Sequence, residues 1–334
     1  MILVFGGKLS AIITRITVLA VLVVISGCDN STPPSASWES AVQGLYSAAI
    51  SRDGQYAAIG SIRHGGSLWG LGERGRRYNW NHTEGEYTGL IAMAFSPEGT
   101  YAATASHRTI VLWKTGTGEP VWYWTAPGDV LSIALTPQAD YALLGLANYT
   151  AVLFDIKNGG VQRVFNHNGK VRSVSMSADA RLILTGSDDR TAKLWDLQSG
   201  ALLHSWRHGN RLITTALSDT GRYAFTAAQA DKASLWDTET GRQIKEMPVK
   251  KGFYIAGASY TCARFSASET QLLTGTNSQL VQLWEIQSGL EQKRWKITKR
   301  HRWKPSAATV VALGFGQTGN YYAIGSNGLN HELR

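Results

Sequence analysis

The chain has 334 residues, with 33 Lys and Arg against 24 Asp and Glu, two cysteines, 35 glycines and 12 tryptophans. That supply of apolar and aromatic residues builds a large core and excludes a disordered tail protein. Two cysteines, Cys28 and Cys262, exclude a disulfide scaffold and a four-cysteine zinc site, and no Pro/Ser/Gly-rich linker interrupts the chain after residue 37, which predicts one architecture from there on.

In chain order, the first 27 residues carry Lys8 and Arg15 and no acid, then an apolar run from Ile16 to Ile25, then Ser26, Gly27 and Cys28. This is the layout of a secretory signal. The apolar run falls short of the roughly 20 residues that cross a bilayer as a helix. Ile25-Ser26-Gly27-Cys28 resembles the lipobox of bacterial lipoproteins, an aliphatic residue and two small ones before the cysteine that receives lipid. The resemblance implies that Cys28 becomes a triacylated N-terminus, and at about 0.8 kcal/mol per buried CH₂ several chains anchor stably where one does not. Asp29 and Asn30 are similar to the signal that keeps enteric lipoproteins on the inner membrane. Residues 28–37, polar and proline-containing, read as a flexible tether.

From residue 38 onward one phrase recurs: a short apolar strand, a Ser/Asp/Gly turn, a small-residue strand and an aromatic at fixed distance. The strand-ending anchors are Ile50, Phe95, Leu135, Met176, Leu217, Phe265 and Phe315, and six of them are followed by Trp69, Trp113, Phe154, Trp195, Trp236 and Trp284. Ser51-Arg52-Asp53-Gly54, Ser96-Pro97-Glu98-Gly99 and Ser218-Asp219-Thr220-Gly221 lie between as hairpin turns. A second turn follows the aromatic, as in Asp196–Gly200, and then a fourth strand, as in Leu202–Trp206. Each unit is predicted to be a four-stranded sheet.

The stretch Thr185-Gly186-Ser187-Asp188-Asp189-Arg190-Thr191-Ala192-Lys193-Leu194-Trp195-Asp196 resembles the WD40 repeat family, and the resemblance covers residues 38–334. It implies an all-β, seven-bladed propeller and a buried hydrogen-bonded set of His167, Thr185, Asp189 and Trp195 in the fourth unit. His208, Thr226 and Trp236 match in the fifth, with Ala230 at the Asp place; in the second only His107 stands near the Asp place, and Phe154 replaces the Trp of the third. The last unit, from Val310, has room for three strands, so Trp38–Gly44 is expected to supply its fourth and close the ring.

The seven innermost strands, residues 45–50, 90–95, 130–135, 171–176, 212–217, 260–265 and 310–315, hold no Asp, Glu or His. General acid/base work needs such groups within reach of one substrate, so no catalytic residue and no cofactor is assigned and the chain reads as a non-enzyme. Arg172 and Arg264 are the charged residues of those strands and candidates for lining an anion-binding channel. Gly70-Leu71-Gly72-Glu73-Arg74-Gly75 has the G-x-G-x-x-G spacing, but the residues after it read as a strand, so it is expected to be a turn. His204 and His208 are spaced like metal ligands without a third partner, and Cys262 reads as a small buried residue.

The strongest local anomaly is Lys293–Lys304, seven Lys/Arg in twelve residues with no acid. The distances Leu217 to Phe265 and Phe265 to Phe315 exceed those of the middle repeats, and the surplus follows the fourth strand both times. One surplus loop carries Lys250, Lys251, Phe253 and Tyr254, the other Lys299, Arg300, Arg302, Trp303 and Lys304. Repeat proteins place insertions on a binding face, and cations beside aromatics suit an acidic protein or anionic lipid. Nucleic acid is not expected for a secreted chain. The WD40 resemblance implies a protein-interaction scaffold; a channel-binding, quinoprotein-like propeller and an envelope-assembly lipoprotein are the rival readings.

Overall fold

The computed structural model describes residues 31–83, 85–248, 257–300 and 308–334. Within them, 28 strands form seven four-stranded sheets. Blade 4 shows the order that blades 1 to 6 share: inner strand Val171–Met176, second Leu182–Ser187, third Thr191–Asp196, outer Leu202–Arg207, each antiparallel to the next. Each inner strand lies beside those of the preceding and following blades, and that of blade 7 (Val310–Phe315) lies beside that of blade 1 (Leu45–Ile50), so the ring is closed. The inner strands occupy the expected spans, except that the second blade's runs Ala92–Phe95 rather than from residue 90.

The repeating residues explain the ring. Seven separate hydrophobic clusters fill the seven spaces between blades. In each, the strand-ending anchor wedges toward the preceding blade: Phe95 and Trp113 sit with Ala58 and Leu68 of blade 1, and Leu217 and Trp236 with Leu184 and Leu194 of blade 4. Fully burying one such Leu or Phe contributes about 1.5–3 kcal/mol, so the interfaces rather than the single sheets stabilise the ring. A register shift falls directly before the repeat aromatic in six blades, as at Leu194/Trp195 and Leu235/Trp236. Such a bulge bends the strand and re-aims the side chain that follows it.

Ring closure uses an earlier segment than expected. The fourth strand of blade 7 is Ala36–Glu39, paired with Leu329–Leu333 in the register Trp38↔Asn330, not Trp38–Gly44. Residues beyond Glu39 turn away because the amides of Ser40 and Ala41 both converge on the carbonyl of Gly328. Gly328 has φ 82°, and a Cβ there would fall 2.0 Å from the Ala41 oxygen, so only glycine permits the approach. The expected tether over 28–37 is also shorter than read. Thr32 already bridges Trp295 in parallel, with its N–H donating to Arg294 O at 2.9 Å, and Ser35 N donates to Glu332 O at 2.8 Å.

Candidate functional site

In blades 2, 4 and 5 the connection leading into the inner strand is fixed to its own blade by a buried hydrogen-bonded set, complete in blade 4. His167 Nδ1 is 2.9 Å from Asp189 Oδ2 and its Nε2 is 2.7 Å from Thr185 Oγ1, while Trp195 Nε1 donates to that hydroxyl at 3.0 Å. With Nδ1–H donating to Asp189, Nε2 accepts from Thr185, and every member is satisfied. Burial pulls the His167 pKa down, against the pull of Asp189. For Asp189 burial favours the neutral acid, but hydrogen bonds from Thr191, Asn168 N and His167 outweigh it and hold the carboxyl at about 2.

The other sets are partial. In blade 5, His208 Nε2 is 3.0 Å from Thr226 Oγ1 and Trp236 donates to Thr226 at 2.7 Å. Blade 2 holds a set that the sequence reading missed: His82 Nε2 is 2.9 Å from Thr104 Oγ1, which accepts from Trp113 at 2.8 Å. His107 lies, as expected, in the turn after the second strand, near the place that Asp189 holds in blade 4. His82 escaped because it precedes its threonine by 22 residues, against 18 for His167 and His208. The connection over residues 80–91 is lengthened, a third long one beside 248–259 and 297–309.

Lys250, Lys251, Phe253, Tyr254, Arg302, Trp303 and Lys304 lie outside the described residues, as do Cys28, Asp29 and Asn30. Arg300, read as a surface cation, is a structural clamp. Its guanidinium donates to Asn327 O at 3.0 Å, to Ala41 O at 2.5 Å and to Glu39 Oε1 at 3.1 Å, joining the closing strand to the last blade. Trp295 is 1% exposed, and Arg294 is held by Glu291 at 2.5 Å. Lys299 is partly buried at the start of the same loop.

The residues weighed for chemistry are placed as follows. Gly70 ends the third strand of blade 1 and Gly75 opens its outer strand, so the glycine motif is a hairpin turn. His204 stacks on Trp206 with ring centroids 5.7 Å apart, away from the His208–Thr226 pair. Cys262 is packed against blade 7, its Sγ 3.5 Å from Val310 O, and burial pushes its thiol up to about 12. Arg172 is paired with Asp188. Arg264 lines a cavity of about 270 Å³ at the channel end where the inner strands finish. Among the described residues, no three His, Cys, Asp or Glu gather as a metal site, and no helix is long and apolar enough to cross a membrane.

The outer strands carry a feature that the repeat pattern did not announce. Val121, Trp122 and Tyr123 of blade 2, Val161 and Val164 of blade 3 and Leu202 and Leu203 of blade 4 are all exposed, Tyr123 by 59%. Their signal was in the sequence, as apolar residues on strands whose partner-facing role the repeat leaves open.

Comparison with known proteins completes the assignment. The WD40 family (WD domain, G-beta repeat) matches residues 81–114 and 159–196, each stretch ending with the third strand of a blade that holds a His–Thr–Trp set. No curated protein matches the chain. A WD40 propeller suggests an interaction scaffold. With two matched WD40 repeats inside seven blades of one build, closed by an N-terminal strand, the chain is a seven-bladed β-propeller that carries WD40 repeats.

Proposed function

We propose that the chain is a membrane-tethered, periplasm-facing WD40 lipoprotein of the bacterial envelope that acts as a protein-interaction scaffold and not as an enzyme. The observation that carries the scaffold reading is the run of exposed apolar side chains on the outer strands of three consecutive blades, Trp122 and Tyr123 foremost. Contiguous exposed apolar surface is what a partner covers, and Trp and Tyr are the residues that anchor interfaces. Photo-crosslinking residues placed at Tyr123, at Leu203 and at Lys299 test it in native envelopes. A discrete adduct from at least one face supports the scaffold; silence from all three positions overturns it.

In sequence, the long connections into blades 6 and 7 carry Lys250, Lys251, Lys299, Arg300, Arg302 and Lys304 and no acid, which favours an acidic protein or anionic lipid as what they meet. Lipid attachment at Cys28, with Asp29 and Asn30 holding the protein on the inner membrane, rests on the lipobox resemblance. Labelled palmitate incorporated by the wild-type chain and lost in Cys28→Ala is the expected result; label retained by the variant refutes the anchor. The non-enzyme reading rests on the inner strands holding no Asp, Glu or His, and is supported by four of the eight histidines being engaged: His82, His167 and His208 bond threonines and His331 Nδ1 is 2.8 Å from Ser37 Oγ. A visible absorbance band in the purified protein would favour the quinoprotein-like alternative.

A further inference from the structure

The channel end where the inner strands finish is unlike the rest of the ring. One residue before the anchor, six blades carry a small side chain or none: Ala49, Ala94, Ala134, Ser175, Ala216 and Gly314. Blade 6 carries Arg264 in that place, and it lines the cavity of about 270 Å³ together with five of those small residues. The guanidinium makes no hydrogen bond or ion pair with any described residue, although it is partly buried. A desolvated cation without a hydrogen-bonded partner is costly, and nothing in the packing requires it, since Ala serves in four other blades.

The surroundings define what would pair with it. At the same end, Arg52 from the turn of blade 1 reaches across the channel to Asp219 in the turn of blade 5, and both line the cavity. Asp219 is positioned from both sides: its carbonyl accepts from Ala178 N at 2.8 Å, and the next residue, Thr220, donates to Glu269. Burial disfavours the charged form of Arg264; Asp219 and, more weakly, Asp53 act through space to favour it, and Arg52 opposes it. Arg52 and Asp219 offset each other through their ion pair, and Asp53 is exposed, outside the cavity lining, and bonded by Ser51 Oγ and Gln55 N, so the cavity-lining guanidinium with no hydrogen-bonded partner is that of Arg264. Such a site fits one negative charge and disfavours a dianion. The walls mix small side chains such as Ala49 and Ser175 with larger apolar ones such as Met93 and Leu313, and the inner strands turn their unpaired edge toward the channel, which suits a narrow stem or an extended chain end.

We propose that this end of the channel is a carboxylate-binding site, in which Arg264 takes a monocarboxylate borne on a narrow stem that enters past the Arg52–Asp219 pair. The site stands independently of the scaffold reading, because it opens at the opposite end of the inner strands from the long connections.

The test uses the full-length protein in a nonionic detergent, with ¹⁵N-labelled arginine side chains. The probes are butyrate, an acetylated pentapeptide with a free C-terminal carboxylate, the same peptide amidated, and inorganic phosphate. The expected result is one Arg Nε–H resonance that shifts with the free carboxylates, disappears in Arg264→Ala and is unaffected in Arg172→Ala. Equal response to butyrate and peptide identifies a small organic acid; response to the free peptide alone identifies the carboxyl terminus of a partner chain. No shift with either carboxylate at millimolar concentration overturns the proposal, as does an equal shift with the amide or a stronger one with phosphate. Arg264→Ala is expected to keep the wild-type Tm, and Arg264→Gln, which keeps the length of the side chain, is expected to lose at least tenfold in affinity. A collapse of both variants would make Arg264 structural and would equally overturn it.

Discussion

One threonine hydroxyl sits at the centre of each buried set, accepting from a tryptophan and facing a histidine, and the sets differ in what lies beyond the histidine. In blade 4 Asp189 completes the chain of bonds, so Asp189→Ala leaves His167 Nδ1, Asn168 N and the Thr191 hydroxyl short of an acceptor. The expected loss is about 1–3 kcal/mol. Asn148 holds the equivalent turn position in blade 3 and its side chain bonds only Thr150, so Asn148→Ala is expected to change stability by no more than about 0.5 kcal/mol. Urea denaturation of the two variants checks the contrast, and equal losses would refute it. In blade 2 His82 has no partner at Nδ1, and burial drops its pKa from 6.5 to about 4. His331, buried beside Ser37, falls to about 4 for the same reason. A folded-state value below the unfolded one means that the unfolded chain takes up the proton first. Stability is then full above the ordinary histidine range and is lost as pH falls through about 4. Melting temperatures between pH 7 and 4 are expected to decline, and His82→Asn is expected to flatten part of that slope. An identical slope in the variant would count against His82 as a contributor.

At the level of strands and loops, most of the architecture was legible because the anchors recur and each anchor fills an interface. The exceptions have physical causes. The closing strand was placed two residues late because Trp38 marks its middle, not its start, and because the approach of Gly328 to Ala41 that ends it is invisible in the sequence. Arg300 was read as surface because seven basic residues in twelve suggest a solvated run, whereas the fold brings backbone carbonyls 27 and 259 residues away in sequence onto its guanidinium. Charge reversal there is therefore expected to destabilise the ring rather than leave it intact. Arg300→Glu should cost at least about 1.5–3 kcal/mol, the worth of hydrogen bonds to a charged group. Lys299→Glu, next to it, should stay within about 0.5 kcal/mol. Thermal melts that rank the two the other way would show that the clamp does not hold the seam. The candidate binding residues were less legible than the fold, since apolar residues on an outer strand look alike in sequence whether they are packed or exposed.

For the whole molecule, the ring has one covalent break, and it lies within blade 7. Deleting residues 31–39 removes the outer strand and the Thr32 bridge and leaves Leu329–Leu333 as an open edge. An exposed, unpaired strand invites association between chains. The truncated protein is expected to melt lower and to self-associate in a concentration-dependent way, measurable by light scattering; a monomeric variant of unchanged Tm would mean that closure contributes nothing. Function was the least legible level. A WD40 ring can be inferred from recurrence alone, but what it holds depends on departures from recurrence, such as Arg264 among alanines or Trp122 and Tyr123 on an outer strand.

The same seam has a consequence in time. Ser35 and Ser37 meet Glu332 and His331 at sequence separations of 297 and 294, the most distant partners that hydrogen-bond among the described residues of the closing blade. Blades 1 to 6 pair strands that follow one another directly and can form as the chain emerges, whereas the first segment to appear has nothing to join until the last one arrives. During synthesis its hydrogen-bonding edge stays open for almost the whole length of the chain, and the ring becomes resistant to unfolding only when the two ends find each other. The delay is longest for the first strand made, so chaperoning of the nascent protein matters most at its N-terminal end.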